Sequence, residues 1–211
     1  SGATTFSSAV GGTTALTSLT TDAGGTTSAQ SVTTSGTQTY NDALTTNGTY
    51  TTTNSLFTAA NTTTLGGATV VTTGSGGATF TGTVNGGHAL TVNTTGATTF
   101  SSAVGGTTAL TSLTTDAGGT TAINGGVVTT TAAQTYGDAV TLGADTTVTG
   151  VGNTFTGTVN GAHTLTVNDS GATTFSSAVG GTTALTSLTT DAGGTTSAQS
   201  VTTSGTQTYN D

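Results

Sequence analysis

One long string, GATTFSSAVGGTTALTSLTTDAGGTT, occurs three times in this chain, starting at Gly2, Gly96 and Gly171. The longer stretch Ser1 to Asp42 returns unchanged as Ser170 to Asp211. A chain that repeats itself so closely is built to stack copies of one unit, each covering its neighbour, rather than to form one irregular core. Two further matches fix the phase. TFTGTVNGGHALTVN at Thr79 to Asn93 pairs with TFTGTVNGAHTLTVN at Thr154 to Asn168, and QTYNDALT from Gln38 pairs with QTYGDAVT from Gln134. The chain reads as one continuous array, with units 2–95 and 96–170 and the start of a next unit at 171–211, an excerpt of something longer. Taken as five coils and four, the spacings Gly2 to Gly96 and Gly96 to Gly171 both give about 19 residues per coil. About eleven such coils, stacked at about 4.8 Å each, make a rod roughly 50 Å long.

Composition agrees with a thin, repeated core. Leu, Ile, Val and Phe together supply only 35 of 211 residues, too few for one thick core, whereas 67 Thr and 34 Gly supply nearly half the chain. Disorder normally combines such low hydrophobicity with high charge, but charged residues here are only 4%. Thr, Val, Phe and Tyr favour extended backbone. The pairs Gly11-Gly12, Gly24-Gly25, Gly66-Gly67 and Asn85-Gly86 are expected at the corners, where positive φ is needed.

Within a coil the apolar residues keep one even spacing. Phe6, Val10 and Leu16 set it, and Phe80/Val84/Leu90, Phe100/Val104/Leu110, Phe155/Val159/Leu165 and Phe175/Val179/Leu185 repeat it. Even spacing places them on one face of a strand if no turn intervenes. Phe80 to Phe100 and Phe155 to Phe175 are the same distance along the chain, about one coil, so these rings are expected to stack on successive coils. The fold class expected is all-β, a right-handed parallel β-helix.

The chemistry-bearing residues are few. There is no Lys, Arg, Glu or Cys, and the net charge is −8. A chain without cationic side chains cannot neutralise phosphates, so neither nucleic acid nor an anionic membrane is an expected partner. No apolar run is long enough to insert into a membrane. Asp22, Asp42, Asp116, Asp138, Asp145, Asp169, Asp191 and Asp211 are the only acids, and six of them fall in the repeated contexts TTDAGG and TY(N/G)DA. Repeated context implies a repeated turn in which Asp caps its own backbone, not a catalytic pair, which would occur once. His88 and His163 hold equivalent places in VNG(G/A)H, read as four coils apart, too distant to share a metal ion. DAGG lacks the repeated carboxylates of a calcium site. Asn47, Asn61, Asn93 and Asn168 open Asn-x-Ser/Thr sequons of the kind that arise by chance in so Thr-rich a chain. No catalytic, cofactor-binding or metal-binding residue is nominated, no cofactor is expected, and no enzyme activity is expected.

The phrases AVGGTTALTSLTTDAGG, QTYNDALT and FTGTVNGGHALTVN, together with the short coil, make the whole chain resemble the repeat regions of very large bacterial surface proteins. These are filamentous-haemagglutinin-like adhesins and related β-strand-repeat exoproteins. The resemblance implies a right-handed parallel β-helix exported through the outer membrane to the cell surface, serving as an extracellular stalk or filament segment. Its expected partner is itself, by end-to-end stacking or through flanking repeats of the same chain. An alternative is an adhesive module whose Thr/Asn-rich face recognises glycans or cell surfaces. A third reading, an ice-binding solenoid, draws on local Thr-x-Thr pairs such as Thr37/Thr39, Thr81/Thr83 and Thr156/Thr158, which do not recur at the coil period.

Overall fold

The chain forms a parallel β-solenoid of about ten turns, described for residues 2–211 of a computed structural model. Short strands, most of two to six residues, follow one another around the axis, and the pairings between them are parallel. Each turn visits three faces. On face one the inward column runs Val10–Val32–Tyr50–Val71–Val92–Thr115–Tyr136–Phe155–Phe175–Ala198. Face two carries Tyr40–Ala59–Phe80–Phe100–Ile123–Leu142, continued beside it by Val140–Val159–Val179–Val201. Face three begins at Phe6–Ala29–Thr46–Leu65 and proceeds through Val84–Val104–Val128–Val148–Val167–Thr190–Tyr209.

The coil is longer than the whole-coil arithmetic gives. It averages about 20 residues and varies from turn to turn, shorter where Thr26 meets Ala43 and longer where Ala3 meets Thr26. The reason for the discrepancy lies in where the repeated string starts. Phe6 points inward on face three, Phe100 on face two and Phe175 on face one. The copies are therefore separated by four and two-thirds turns and then three and two-thirds turns, not by five and four. Each face requires the same thing, an inward–outward alternation between two corners, so one string serves on any of the three.

Turns also separate the Phe, Val and Leu of each string. Phe100 is on face two while Val104, beyond a bend, is already on face three. All three side chains still point inward, and outside the first turn they are buried. The expected ring stacks are present. Phe80 and Phe100 lie 5.4 Å apart at an interplanar angle of 17°, and Phe155 and Phe175 lie 4.9 Å apart at 15°. Tyr136 extends the second stack, 4.8 Å from Phe155. Because the string changes face, the two stacks lie on different faces instead of forming one.

Threonine fills the interior as well as the surface. Sixteen threonines are buried among the described residues, Thr27, Thr98 and Thr121 among them. Thr is nearly the shape of Val, so it packs in a Val column provided its hydroxyl finds a partner. Some do, as in Thr46 with Thr69 at 2.8 Å, Thr130 donating to the Ala132 carbonyl at 2.6 Å and Thr146 donating to the Ala144 carbonyl at 2.8 Å.

Three of the four expected glycine corners hold. Gly11, Gly24 and Gly86 have φ of 70°, 95° and 122°. Gly66-Gly67 instead lies inside the strand Thr63–Gly74, where Leu65 to Thr69 spans the same step as Thr46 to Gly48. Those glycines make room for a bulge: a Cβ on Gly67 would collide with the Asn47 side chain. Gly11, Gly105 and Gly180, the same corner in three copies, combine φ of 70° with a next-turn carbonyl that leaves no space for an added Cβ.

Two substitutions test this packing. Phe155→Ala, deep in the Tyr136–Phe155–Phe175 stack, is expected to cost about 3–5 kcal/mol in denaturant unfolding, and Phe6→Ala at the half-buried first turn distinctly less. Gly105→Ala is expected to cost at least about 1–3 kcal/mol from its left-handed backbone alone, although the substitution adds only a methyl group.

Candidate functional site

The carboxylates do cap backbone, but chiefly the backbone of the neighbouring turn. Asp42 Oδ1 accepts the Gly25 N–H at 2.8 Å and Oδ2 accepts the Thr27 hydroxyl at 3.0 Å, 17 and 15 residues away. Asp138 repeats the arrangement with Gly119 and Thr121. Asp116 accepts from Thr94 N–H and Asp191 from Asp169 N–H, each across 22 residues. In each case the residue reached lies on the preceding turn. Asp169 adds local bonds of the expected kind, to Gly171 N–H and the Thr173 hydroxyl, alongside cross-turn bonds from Gly152 and Asn153 N–H.

These environments pull two buried carboxyls in opposite directions. Burial pushes the Asp138 carboxyl above the ordinary aspartate range, aided by the nearby Asp116 charge, and its two hydrogen bonds do not offset that. Burial acts on Asp169 too, but three N–H groups and a hydroxyl outweigh it and hold that carboxyl below the ordinary range. In the other copy of this corner Thr94 stands where Asp169 does. Its hydroxyl accepts from Gly96 and Gly77 N–H and donates to the Gly74 carbonyl, doing the same work without charge.

His88 and His163 are not four coils apart. His88 enters face one ahead of Ala89–Thr94, and His163 enters face three ahead of Thr164–Asp169, three and two-thirds turns on. They remain far too distant to share an ion. His163 Nδ1 lies 3.5 Å from the Asp145 carboxylate, both side chains being substantially exposed. Asp145 is held below the ordinary range mainly by the Thr164 N–H, with His163 adding to it. Among the described residues no group of three or more acids and histidines is placed to hold a metal ion, and no pocket opens. No helix is long and apolar enough to cross a membrane.

Two polar devices give no signal in the sequence beyond their recurrence. In the QTY segments, Gln38 Nε2 donates to the Val32 and Thr51 carbonyls and the Thr34 hydroxyl, while Tyr40 donates to Gln38 Oε1. Gln134 and Tyr136 repeat this with Val128, Thr149 and Thr130. Burial pushes the Tyr40 and Tyr136 phenols far up. Separately, Asn85 Oδ1 accepts both Thr107 and Thr108 N–H, and Asn160 does the same for Thr182 and Thr183. The loops after Gly105-Gly106 and Gly180-Gly181 are thereby tied to the turn before them.

The outward side chains are also ordered. On face one Thr91, Thr114, Thr135, Thr154 and Thr174 occupy one column on consecutive turns. Face two does the same with Thr20, Thr39, Thr58, Thr79 and Thr99. Variable coil length hides this recurrence from any constant-period reading. The column beside the first is broken by Asn93, Asp116 and Gly137, so no flat two-column Thr-x-Thr array forms there. No family model, curated protein or solved structure matches the chain.

The two carboxyls give a paired prediction. The folded pKa of Asp169 is depressed, so its contribution is complete above the ordinary aspartate pKa of about 3.9 and fades as pH falls through the folded value. Asp169→Asn is therefore expected to cost about 1.5–3 kcal/mol at pH 7, since its amide can accept on one side only, and progressively less below about pH 4. Asp138 has the opposite sign: its contribution is complete below about 3.9 and is lost as pH rises through the raised folded value. Asp138→Asn is expected to leave stability at pH 7 unchanged or increased. Denaturant unfolding across pH checks both.

Proposed function

We propose that this chain is a structural segment, part of the stalk or filament of a large extracellular bacterial surface protein of the filamentous-haemagglutinin-like kind whose repeat phrases it resembles. The observation that carries the reading is the inward ladder, which runs through turn after turn on all three faces without a break for a pocket or reactive cluster among the described residues. A body of this kind supplies reach. Its stability is nearly a sum of turns and interfaces between them, so length can be added without redesigning a core. The absence of Lys and Arg removes every trypsin site, which suits exposure outside a cell.

The outward Thr columns favour a second role on the same body, as an adhesive module. Hydroxyls spaced one turn apart offer many weak, regular contacts to a glycan, and such contacts multiply through avidity. The broken neighbouring column counts against ice binding, which calls for a flat two-column face.

Electron microscopy of the isolated chain is expected to show rods roughly 50 Å long or multiples of that length, with a β-type circular dichroism spectrum. A compact globule or a helical spectrum would sink the stalk reading. Silence on a broad glycan array is expected for a pure stalk, whereas concentration-dependent binding would shift the assignment to the adhesive module.

A further inference from the structure

The geometry points to Asn124–Gly125 as a modification site, the one Asn–Gly pair of this chain that the fold leaves free to close into a succinimide and pass on to isoaspartate. Asn–Gly pairs are prone to this change because glycine puts no side chain in the way of its own N–H and turns easily about its backbone. The chain has four such pairs, beginning at Asn47, Asn85, Asn124 and Asn160. Sequence alone ranks them equally. The solenoid does not.

Ring closure needs two groups free to move, the asparagine side chain and the following backbone nitrogen. At Asn85 both are tied: Oδ1 accepts the Thr107 and Thr108 N–H groups, and the Gly86 N–H donates to the Thr108 carbonyl. At Asn160 the same bonds run to Thr182 and Thr183. Asn47 has an exposed side chain, but Gly48 lies within the strand Ala43–Thr51, opposite Thr69. Asn124 is exposed and outside any strand, and among the described residues neither its side chain nor the Gly125 N–H has a hydrogen-bond partner. Its own N–H is held by the Phe100 carbonyl, which fixes the corner without restraining the amide. The amide rests over Gly143 of the next turn, where there is no side chain to grip it.

The same corner in the other two copies carries a different pair. Gln30 and Gln199 stand where Asn124 does, their N–H groups held by the Phe6 and Phe175 carbonyls, and a serine follows each. Glutamine would have to close a larger ring, against a residue that carries a side chain.

In the reaction the Gly125 nitrogen, after yielding its proton to solvent base, attacks Asn124 Cγ. The N–Cγ bond forms, the Cγ–Nδ2 bond breaks, and ammonia leaves with a proton from water. Water then opens the ring. Addition at Cγ restores the main chain with an aspartate at this position, whereas addition at the backbone carbonyl leaves isoaspartate, whose main chain is one carbon longer. That carbon falls between Ile123 on face two and Val128 on face three, both buried. Gly125 lies so close to Ser102 of the preceding turn that even a Cβ would collide with its backbone. The corner has no slack, so isoaspartate there loosens two inward ladders in the middle of the rod.

The test incubates the complete 211-residue chain in mildly alkaline buffer, once folded and once in denaturant, and follows its chymotryptic peptides by mass spectrometry. An isoaspartate-specific methyltransferase distinguishes the two products. In the folded chain Asn124 is expected to convert about tenfold or more ahead of Asn85 and Asn160, whose closure must first break hydrogen bonds, and also ahead of Asn47. In denaturant all four are expected to convert at similar rates, which ties the difference to the fold. Asn124→Gln, the side chain the other copies hold at this corner, is expected to fold as the parent does, to show no conversion there, and to keep its unfolding midpoint through an incubation that lowers the parent's. Equal conversion of the four pairs in the folded chain, or faster conversion at Asn85 or Asn160, would overturn the proposal. So would an Asn124 that stays intact in the folded chain while converting in denaturant. A midpoint that falls equally in parent and Asn124→Gln would overturn the claim that isoaspartate loosens this corner.

Discussion

Parallel pairing between consecutive turns is the constraint from which the rest follows. Each short strand can satisfy its backbone only through the turns before and after it, because nothing else lies at hydrogen-bond distance along the axis. That pairing aligns residues in columns about 4.8 Å apart, so an inward side chain rests on the inward side chain of the next turn. The interior is therefore built of such columns from all three faces, up to three abreast on the longer strands, whatever the length of the rod. It tolerates Thr, Ala and Val side by side and draws extra stabilisation where rings coincide, of about 0.5–1.5 kcal/mol per aromatic pair.

Corners are where this arrangement is most costly, since pairing lapses and backbone groups are left bare. The chain meets the cost with short polar side chains reaching across turns: Asp42 and Asp138 to Gly and Thr, Asn85 and Asn160 to two threonine N–H groups each, Thr94 to Gly77 and Gly74. A carboxylate buried there needs no cationic partner, because several N–H donors can favour its charge, as they do at Asp169. This explains how a chain without Lys or Arg can bury acids. Where donors are fewer, as at Asp138, burial wins and the carboxyl is held less comfortably.

Much of this was legible in the sequence, and the misses have one origin. Repetition, β-branched composition and the equal spacing of Phe80 to Phe100 and Phe155 to Phe175 led directly to a parallel solenoid and to its two ring stacks. The assumption that a repeated string must return to the same face led to a coil slightly too short and to one turn too many. In fact the three faces make interchangeable demands, and coil length varies because corners and bulges absorb insertions such as Gly66-Gly67. The same variability concealed the outward Thr columns. The cross-turn caps were out of reach for another reason: a bond between residues 15 to 22 apart depends on the register, which local turn rules do not contain.

Rotation by thirds also bears on what the surface can do. The three copies of the repeated string begin on three different faces, so any feature it displays points in three directions as the rod lengthens. Were adhesion to reside in that string, its contacts would be spread around the axis, and a flat partner would meet only the copies on its own side. A column of Thr such as Thr91 to Thr174 escapes this dilution, because it is assembled from different segments that happen to share a face. The repeated string is thus suited to what every face needs, an inward ladder and a tied corner. Any directional recognition must come from such columns, built from several segments on one face, and not from one string alone.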